Sequence, residues 1–185
     1  MKTTQSPTLP AELSPILGAS LLGDTPLAWI PSTQVPPPFH QLLVHDHDMT
    51  SELASFHGDA IALQVLHSQA SEDIYLREVT LHAASSRTCV EYGLIAILLD
   101  SFPREIRPRI LAGETPLGTI LNESKLPYHS EPQGFFTIPA DTLREIFPQS
   151  PSGAILYGRY NHLIHDDGSC LARILEILPL APNPN

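Results

Sequence analysis

Three charged side chains lie within apolar or alternating segments that are typical of β-strands: Arg77, Arg159 and Glu176. A packed sheet seldom buries such groups without a partner. Two explanations remain open. One is a structural ion pair or an exposed sheet face, and the other is a polar lining for a small anionic ligand held over the sheet. An arginine suits a carboxylate because its fork binds both oxygens, and a glutamate opposite it could accept a hydrogen bond from a ligand hydroxyl.

A segment rich in histidine and aspartate, His45–Asp48 followed by His57, could bind a divalent ion if its side chains converged. The alternating spacing at a helix start is expected to make these side chains diverge. We therefore favour a solvated acidic loop that caps the helix, and we expect no metal site.

Other catalytic and nucleotide-binding patterns are absent from the sequence. It contains no GxSxG elbow, no P-loop and no GxGxxG. The two cysteines, Cys89 and Cys170, each lie in a predicted strand, where a buried thiol is usually a small apolar side chain. They form no CxxC pair of the kind found in zinc sites. We expect no cofactor.

Length and charge exclude several classes of partner. The chain has 185 residues, which suits one domain, and its formal net charge is -10. An acidic protein is poorly suited to nucleic acid or to an anionic membrane surface. No apolar run approaches a membrane span of about 20 residues, and Met1–Pro10 lacks the pattern of a signal peptide. We expect a soluble, cytoplasmic monomer that binds a small molecule.

Prolines and local patterns divide the chain into segments. The 19 prolines cluster at both ends, which predicts a Pro-rich N-terminal segment (1–38), a compact domain (39–180) and a C-terminal tail (181–185). Asp48 is a good N-cap for a helix over Met49–His57, and Gly58 is its stop.

Alternation and turn residues predict the other elements. The predicted strands are Ala60–His67, Ile74–His82, Cys89–Leu99, Ala154–Ile164 and Cys170–Leu178. The predicted short helices are Pro103–Leu111, Thr115–Asn122 and Pro139–Phe147. Between the last two helices, Leu126–Ile138 is expected to be irregular, with some strand near its end. Because strands and helices segregate, we predict an α+β fold with a largely antiparallel sheet.

Four segments, in this order, carry a family resemblance: Tyr75–Leu81, Thr115–Gly118, Leu156–Arg159 and Leu175–Pro179. Together they resemble chorismate pyruvate-lyase over residues 40–182. The resemblance implies a single antiparallel sheet of about six strands, with helices packed on one side and helical flaps over a buried ligand site. It also implies the cofactor-independent conversion of chorismate to 4-hydroxybenzoate and pyruvate, which opens ubiquinone biosynthesis in bacteria.

The resemblance assigns roles to five residues. Arg77 matches the arginine that holds the ring carboxylate. Glu176 matches the glutamate that contacts the ring 4-oxygen and is implicated in catalysis. Leu117 matches a position whose backbone amide helps to bind the carboxylate, and Met49 matches a methionine of the apolar wall. Arg159 is expected to support the site or to provide an outer charge.

The sequence departs from the family at a second arginine. Gly93 matches the glycine that precedes this arginine, so Leu94 stands in the arginine's place, and Glu91 makes the region more negative. Chorismate carries two carboxylates, and one of them loses its natural partner here. Three other cations could replace it: Arg87, Lys125 and Arg159.

Three hypotheses of function follow. The first is the lyase itself, with Glu176 as general acid to the departing enolpyruvate oxygen. The second is an enzyme of the same fold that forms a different hydroxybenzoate or another product from chorismate. The third is a non-catalytic protein that binds an aryl carboxylate, because the same fold resembles the effector-binding domain of certain bacterial regulators. Residues 1–39 are too short and too Pro-rich for the winged helix of those regulators.

Overall fold

The computed structural model describes residues 8–180 and shows one antiparallel sheet of seven strands. The strands are β1 (Ala28–Ile30), β2 (Ile61–Ala70), β3 (Ile74–Ala83), β4 (Cys89–Leu98), β5 (Tyr128–Pro139), β6 (Ile155–His165) and β7 (Cys170–Leu178). Their order across the sheet is β1-β5-β6-β7-β4-β3-β2. The predicted α+β class with an antiparallel sheet is confirmed. The expected tail, 181–185, lies outside the described residues.

Five short α-helices accompany the sheet: α1 (Ser14–Ala19), α2 (Phe39–Leu43), α3 (Met49–His57), α4 (Arg107–Ala112) and α5 (Leu117–Glu123). Single 3-10 turns occur at Ala11–Leu13, Ser32–Gln34, Leu99–Ser101 and Ala140–Leu143. Within residues 8–180, no helix is long and apolar enough to cross a membrane.

Elements with strong local signals form where the sequence predicts them. The Asp48 side chain accepts a hydrogen bond from the Ser51 N–H at 2.8 Å and caps α3, which ends at Gly58 in the left-handed conformation with φ 61°. The hairpins β3–β4 and β6–β7 are both present. These elements are confirmed because capping and alternation act over only a few residues.

The sequence predicts that Leu126–Ile138 is irregular with some strand over Phe135–Ile138; the strand is confirmed, and the prediction of an irregular remainder is wrong. The segment forms β5, a twelve-residue strand paired with β6 throughout, with an irregularity between Pro132 and Gly134. Proline cannot donate to a strand ladder, and a bulge accommodates it. The predicted helix over Pro139–Phe147 is reduced to the 3-10 turn Ala140–Leu143.

Part of the Pro-rich segment packs within the domain. β1 pairs with β5 and raises the strand count from the expected six to seven. Leu13, Ile16 and Leu22 are buried against one face of the sheet. On that face the Glu78 carboxylate accepts hydrogen bonds from the Tyr92 hydroxyl at 2.5 Å and from a backbone N–H of the segment at 2.9 Å. The expectation of helices on one side only is therefore incomplete.

The two faces of the sheet have different contents. The face covered by the N-terminal segment carries a continuous apolar core that includes Leu94 and Phe136. The opposite face is covered by α2, α3, α4 and α5, and it carries the buried Arg77, Arg159 and Glu176. Because side chains alternate along a strand, the charged residues all project toward these helices.

Gly158→Ala is expected to lower the free energy of unfolding by about 1–3 kcal/mol. A Cβ at this position would lie 2.6 Å from the Glu176 carbonyl oxygen and 2.6 Å from the Phe136 ring, so the backbone has to shift. Urea denaturation measures the effect. Gly18→Ala in α1 is the matched control, because nothing lies within 4 Å of its Cβ position. Equal stability of the two variants would contradict the prediction.

Candidate functional site

The site is organised by one row of residues that crosses four neighbouring strands. Val79 on β3 faces Gly93 on β4, which faces Glu176 on β7, which faces Arg159 on β6. Arg77 lies two residues from this row on β3, and Glu91 lies two residues from it on β4 in the opposite direction along the sheet. The glycine thus lies on the sheet between an arginine and a glutamate.

A cavity of about 60 Å³ lies over Gly93, between the sheet and the starts of two helices. Its floor and walls come from β2, β3, β4, β6 and β7, and its polar lining includes Arg77, Glu91 and Glu176. The remaining sheet residues are apolar: Leu63, Val79, Leu81, Ile95, Leu163 and Ile174. The covering residues are Asp48–Thr50 at the start of α3 and Pro116–Gly118 at the start of α5.

Gly118 allows the two helix starts to meet over the cavity. A Cβ at this position would lie 2.7 Å from Asp48 Oδ1 and 3.2 Å from Thr50 Oγ1. The Asn122 amide of α5 also donates to Asp48 Oδ2 at 3.2 Å. The capping residue of α3 is therefore also the residue that joins α3 to α5.

Arg77 places a buried positive charge at the cavity wall. Its side chain is 2 % exposed, and Nε and Nη1 have no hydrogen-bond partner among residues 8–180. The guanidinium carbon lies 5.8 Å from the centre of the Tyr75 ring, which gives a cation–π contact. Burial lowers the pKa of Arg77 to about 10, so the group is still charged at neutral pH.

Arg159 and Glu176 form a buried ion pair on the central strands. Arg159 Nε donates to Glu176 Oε2, and the two side chains are 0 % and 4 % exposed. Arg159 Nη1 also donates to the carbonyl oxygens of Leu43 at 3.2 Å and His45 at 3.3 Å. The pair therefore ties the segment between α2 and α3 to the sheet. Glu176 gives Arg159 an ionic partner within the protein, although Arg159 Nη2 has no hydrogen-bond partner among residues 8–180.

Glu91 places a second carboxyl group in the cavity. It is 4 % exposed, and its Oε2 has no hydrogen-bond partner in the described part of the chain. Its Oε1 lies 3.3 Å from where a Cβ of residue 93 would be, so the missing side chain of Gly93 leaves room for it. Burial, and then the negative charge of Glu176, raise the pKa of Glu91 well above its usual value, which favours the protonated form.

The structure brings the residues assigned by the resemblance to one place. Arg77, Glu176, Leu117, Met49 and Gly93 all line the cavity. Arg159 lies behind it, as the partner of Glu176. The roles of these residues remain predictions.

The residues of β4 lie differently from what the resemblance implies. Leu94 lies in the apolar core of the opposite face, so it does not occupy the place of a cavity arginine. The β4 residues that line the cavity are Glu91, Gly93 and Ile95. Alternation from Gly93 would have identified Glu91 as a site residue, because positions i and i+2 of a strand share a face.

The other two proposed replacements for the second arginine lie elsewhere. Arg87 lines a different groove, together with His57 and His82, and Lys125 is not among the described residues that line the cavity.

The histidine-rich segment is more convergent than expected. Ligand atoms of His45, His47 and Glu52 lie within 4.8 Å of one another, so the expected divergence is wrong for His45 and His47, and Glu52 joins them. Both ring nitrogens of His45 are already engaged, since Nε2 contacts the Leu42 carbonyl oxygen at 2.8 Å and Nδ1 accepts from the His47 N–H at 3.2 Å. The Arg159 guanidinium lies 3.4 Å from the same ring. A cation here would displace these contacts and meet a positive charge, so a structural role fits better.

Comparison with solved structures identifies the fold. The effector domain of PhnF from Mycobacterium smegmatis superposes with a TM-score of 0.52 and 10 % identity, over 72 % of this chain and 88 % of that one. A PhnF structure from the same organism gives 0.50 and 10 %, over 71 % of this chain and 63 % of that one. Gene product SA0254 from Staphylococcus aureus gives 0.50 and 8 %, over 77 % and 98 %. This chain thus spans under two thirds of the PhnF chain, and the likeness shows the fold alone.

Comparison of the amino-acid sequence with protein families and with curated proteins finds no relative. No model of a known protein family matches this chain. No curated protein matches it either. The resemblance to chorismate pyruvate-lyase therefore has support at the level of the fold and not at the level of the family.

Glu91→Gln is expected to stabilise the protein increasingly as pH rises. The pKa of Glu91 is raised above 4.5 in the folded state, so the folded protein holds this proton while the unfolded chain releases it. Below pH 4.5 both the folded and the unfolded protein hold the proton, and the contribution of the protonated carboxyl to the free energy of unfolding is complete. It is lost, by about 1.4 kcal/mol per pH unit, as pH climbs toward the folded pKa.

Denaturation by urea between pH 5 and pH 8 measures this effect as the difference between variant and wild type. Glu72→Gln, at an exposed position, is the matched control for the loss of one carboxyl. A difference that stays constant across this range would show that Glu91 is ionised in the folded protein.

Proposed function

We propose that this chain binds a small carboxylate in the cavity, with Arg77 as its anchor. The observation that carries the proposal is the Arg77 guanidinium, which is buried at the cavity wall with two nitrogens unpartnered within residues 8–180. Tyr75 gives Arg77 a cation–π contact but no ionic partner, and a buried charge without an ionic partner costs several kcal/mol, about 3–5 where one partner of a buried pair is removed. A carboxylate would match the fork of the guanidinium with two parallel hydrogen bonds.

The remaining walls favour a ligand with one ring. The lining around Gly93 is largely apolar, and Val79, Ile95 and Ile174 offer flat contact to an aryl or cyclohexadienyl ring. Glu176 lines the same cavity and is held there by its pair with Arg159. The starts of α3 and α5 would form the flap over the ligand. No metal or organic cofactor is needed for this role.

The comparison with PhnF supports binding rather than turnover. The superposed part of that protein is described as its effector domain. The same arrangement of sheet and helices, with a buried cation at a cavity, suits a domain that holds a small molecule. Binding is therefore preferred over catalysis as the proposed function.

Arg77→Ala is expected to abolish binding of 4-hydroxybenzoate and of benzoate, measured by isothermal titration calorimetry. Arg77→Lys should recover only part of the affinity, because an ammonium group cannot form the bidentate contact. Ligand-free Arg77→Met should be as stable as wild type or more stable, because it removes an unpaired buried charge.

Arg104→Ala is the matched control, since it removes an exposed arginine outside the cavity. Unchanged binding in a folded Arg77→Ala variant would contradict the anchor role.

The second candidate function is the chorismate lyase reaction. In that reaction the ring–oxygen bond to the enolpyruvyl group breaks, the neighbouring ring carbon loses its hydrogen, and the departing oxygen takes up a proton. The observation that favours it is Glu91, a buried carboxyl in the cavity whose pKa is raised by burial, which favours the protonated form that a general acid needs. Glu176 is held in its pair with Arg159, so Glu91 is the better general acid of the two.

Incubation of the purified protein with chorismate distinguishes the two functions. The binding proposal expects chorismate to remain unchanged, because the cavity offers only one unpartnered cation to a dicarboxylate. Product analysis by mass spectrometry is the measurement. Equal amounts of 4-hydroxybenzoate and pyruvate, lost in Glu91→Gln, would replace the binding proposal with the lyase, and another product from chorismate would indicate a related enzyme.

A further inference from the structure

The cavity has a second polar end, opposite Arg77. Glu91 Oε2 is buried there and has no partner among the described residues. Along the strands, Arg77 and Glu91 lie on either side of the row that contains Gly93. Their backbone positions are four residues apart along the sheet, roughly 13 Å at the rise of a β-strand, and the Glu91 side chain reaches back over Gly93, with Oε1 3.3 Å from its Cβ position. The two groups therefore face the same space from opposite ends.

The end of the cavity near Glu91 has no cation to spare for a second carboxylate. Arg159 pairs with Glu176 and donates to the carbonyl oxygens of Leu43 and His45. Its Nη2 has no hydrogen-bond partner among residues 8–180, but Arg159 is not among the described residues that line the cavity. Among the described residues that line the cavity, Arg77 is the sole arginine or lysine. A carboxylate placed beside Glu91 would be buried next to the charge of Glu176.

A neutral polar group fits this end. A protonated carboxyl can donate one hydrogen bond and accept others, and Glu91 has one oxygen free for this purpose. A hydroxyl or carbonyl oxygen on the ligand would satisfy it without bringing in a charge. A buried polar atom that is left without such a partner weakens binding of any ligand that lacks the group.

We infer that Glu91 is the specificity-determining residue of the cavity: it hydrogen-bonds a neutral hydroxyl or carbonyl group of the ligand, so the cavity takes hydroxylated monocarboxylates and rejects dicarboxylates. This inference rests on the proposed function, because it needs a ligand anchored at Arg77. Under this inference Glu91 selects ligands that carry a hydroxyl or carbonyl group, which neither Arg77 nor the apolar walls can do.

Calorimetry with benzoate, the three monohydroxybenzoates and the three benzenedicarboxylates tests the inference. Wild type should bind at least one hydroxybenzoate roughly ten- to a hundredfold more tightly than benzoate. Each dicarboxylate should bind more weakly than benzoate. Glu91→Leu should bind benzoate while losing the preference for the hydroxyl group, and Glu91→Gln, which keeps a donor and an acceptor, should restore it.

The outcomes distinguish a failure of the role of Glu91 from a failure of the proposed function. If no monocarboxylate binds, or if binding does not depend on Arg77, the proposed function fails, and the role of Glu91 fails with it. If benzoate and hydroxybenzoate bind through Arg77 but Glu91→Leu keeps the wild-type ratio between them, the role of Glu91 alone is overturned. Tight binding of a dicarboxylate to wild type would also overturn it. Glu72→Leu, at an exposed position, controls for the loss of a carboxyl outside the cavity.

Discussion

The ion pair between Arg159 and Glu176 sets the electrostatics of the cavity. Its two members face each other on the central strands β6 and β7 and are almost fully buried, where an unmatched charge would be strongly destabilising. Because Arg159 pairs with Glu176 and does not line the cavity, Arg77 is the sole arginine or lysine among the described cavity residues. Burial, and then the neighbouring Glu176, raise the pKa of Glu91 and favour its protonated form.

Two glycines provide the space in which these charges act. Gly93 leaves the floor of the cavity open and lets the Glu91 side chain lie over the strand. Gly118 lets the start of α5 approach the capping carboxylate of α3, so the two helices close over the same floor. In both places the missing Cβ is required by a close approach and not by an unusual backbone conformation. The cavity is therefore a property of the packing as well as of its polar residues.

Local patterns in the sequence were sufficient for the centre of the fold and for much of the candidate site. Alternation placed Arg77 and Glu176 on strands, and capping located α3 to the residue, because both signals are complete within a few positions. β5 could not be predicted, since Pro132 interrupts its pattern and pairing with β6 over its whole length stabilises it. β1 has three residues in a Pro-rich segment, and contacts far along the chain determine its place.

The number and sign of the charged groups in the cavity also bear on whether the protein binds a ligand or catalyses a reaction. A chorismate lyase has to match two carboxylates and to supply a proton to the departing oxygen. This cavity has one unpartnered cation within residues 8–180, at Arg77, and one carboxyl expected to carry a proton, at Glu91. A ring ligand with one carboxylate and one neutral polar group matches Arg77 and Glu91 more closely than a ligand with two carboxylates does. Under the proposed function, the ligand resembles the aromatic product of the lyase reaction more than its substrate.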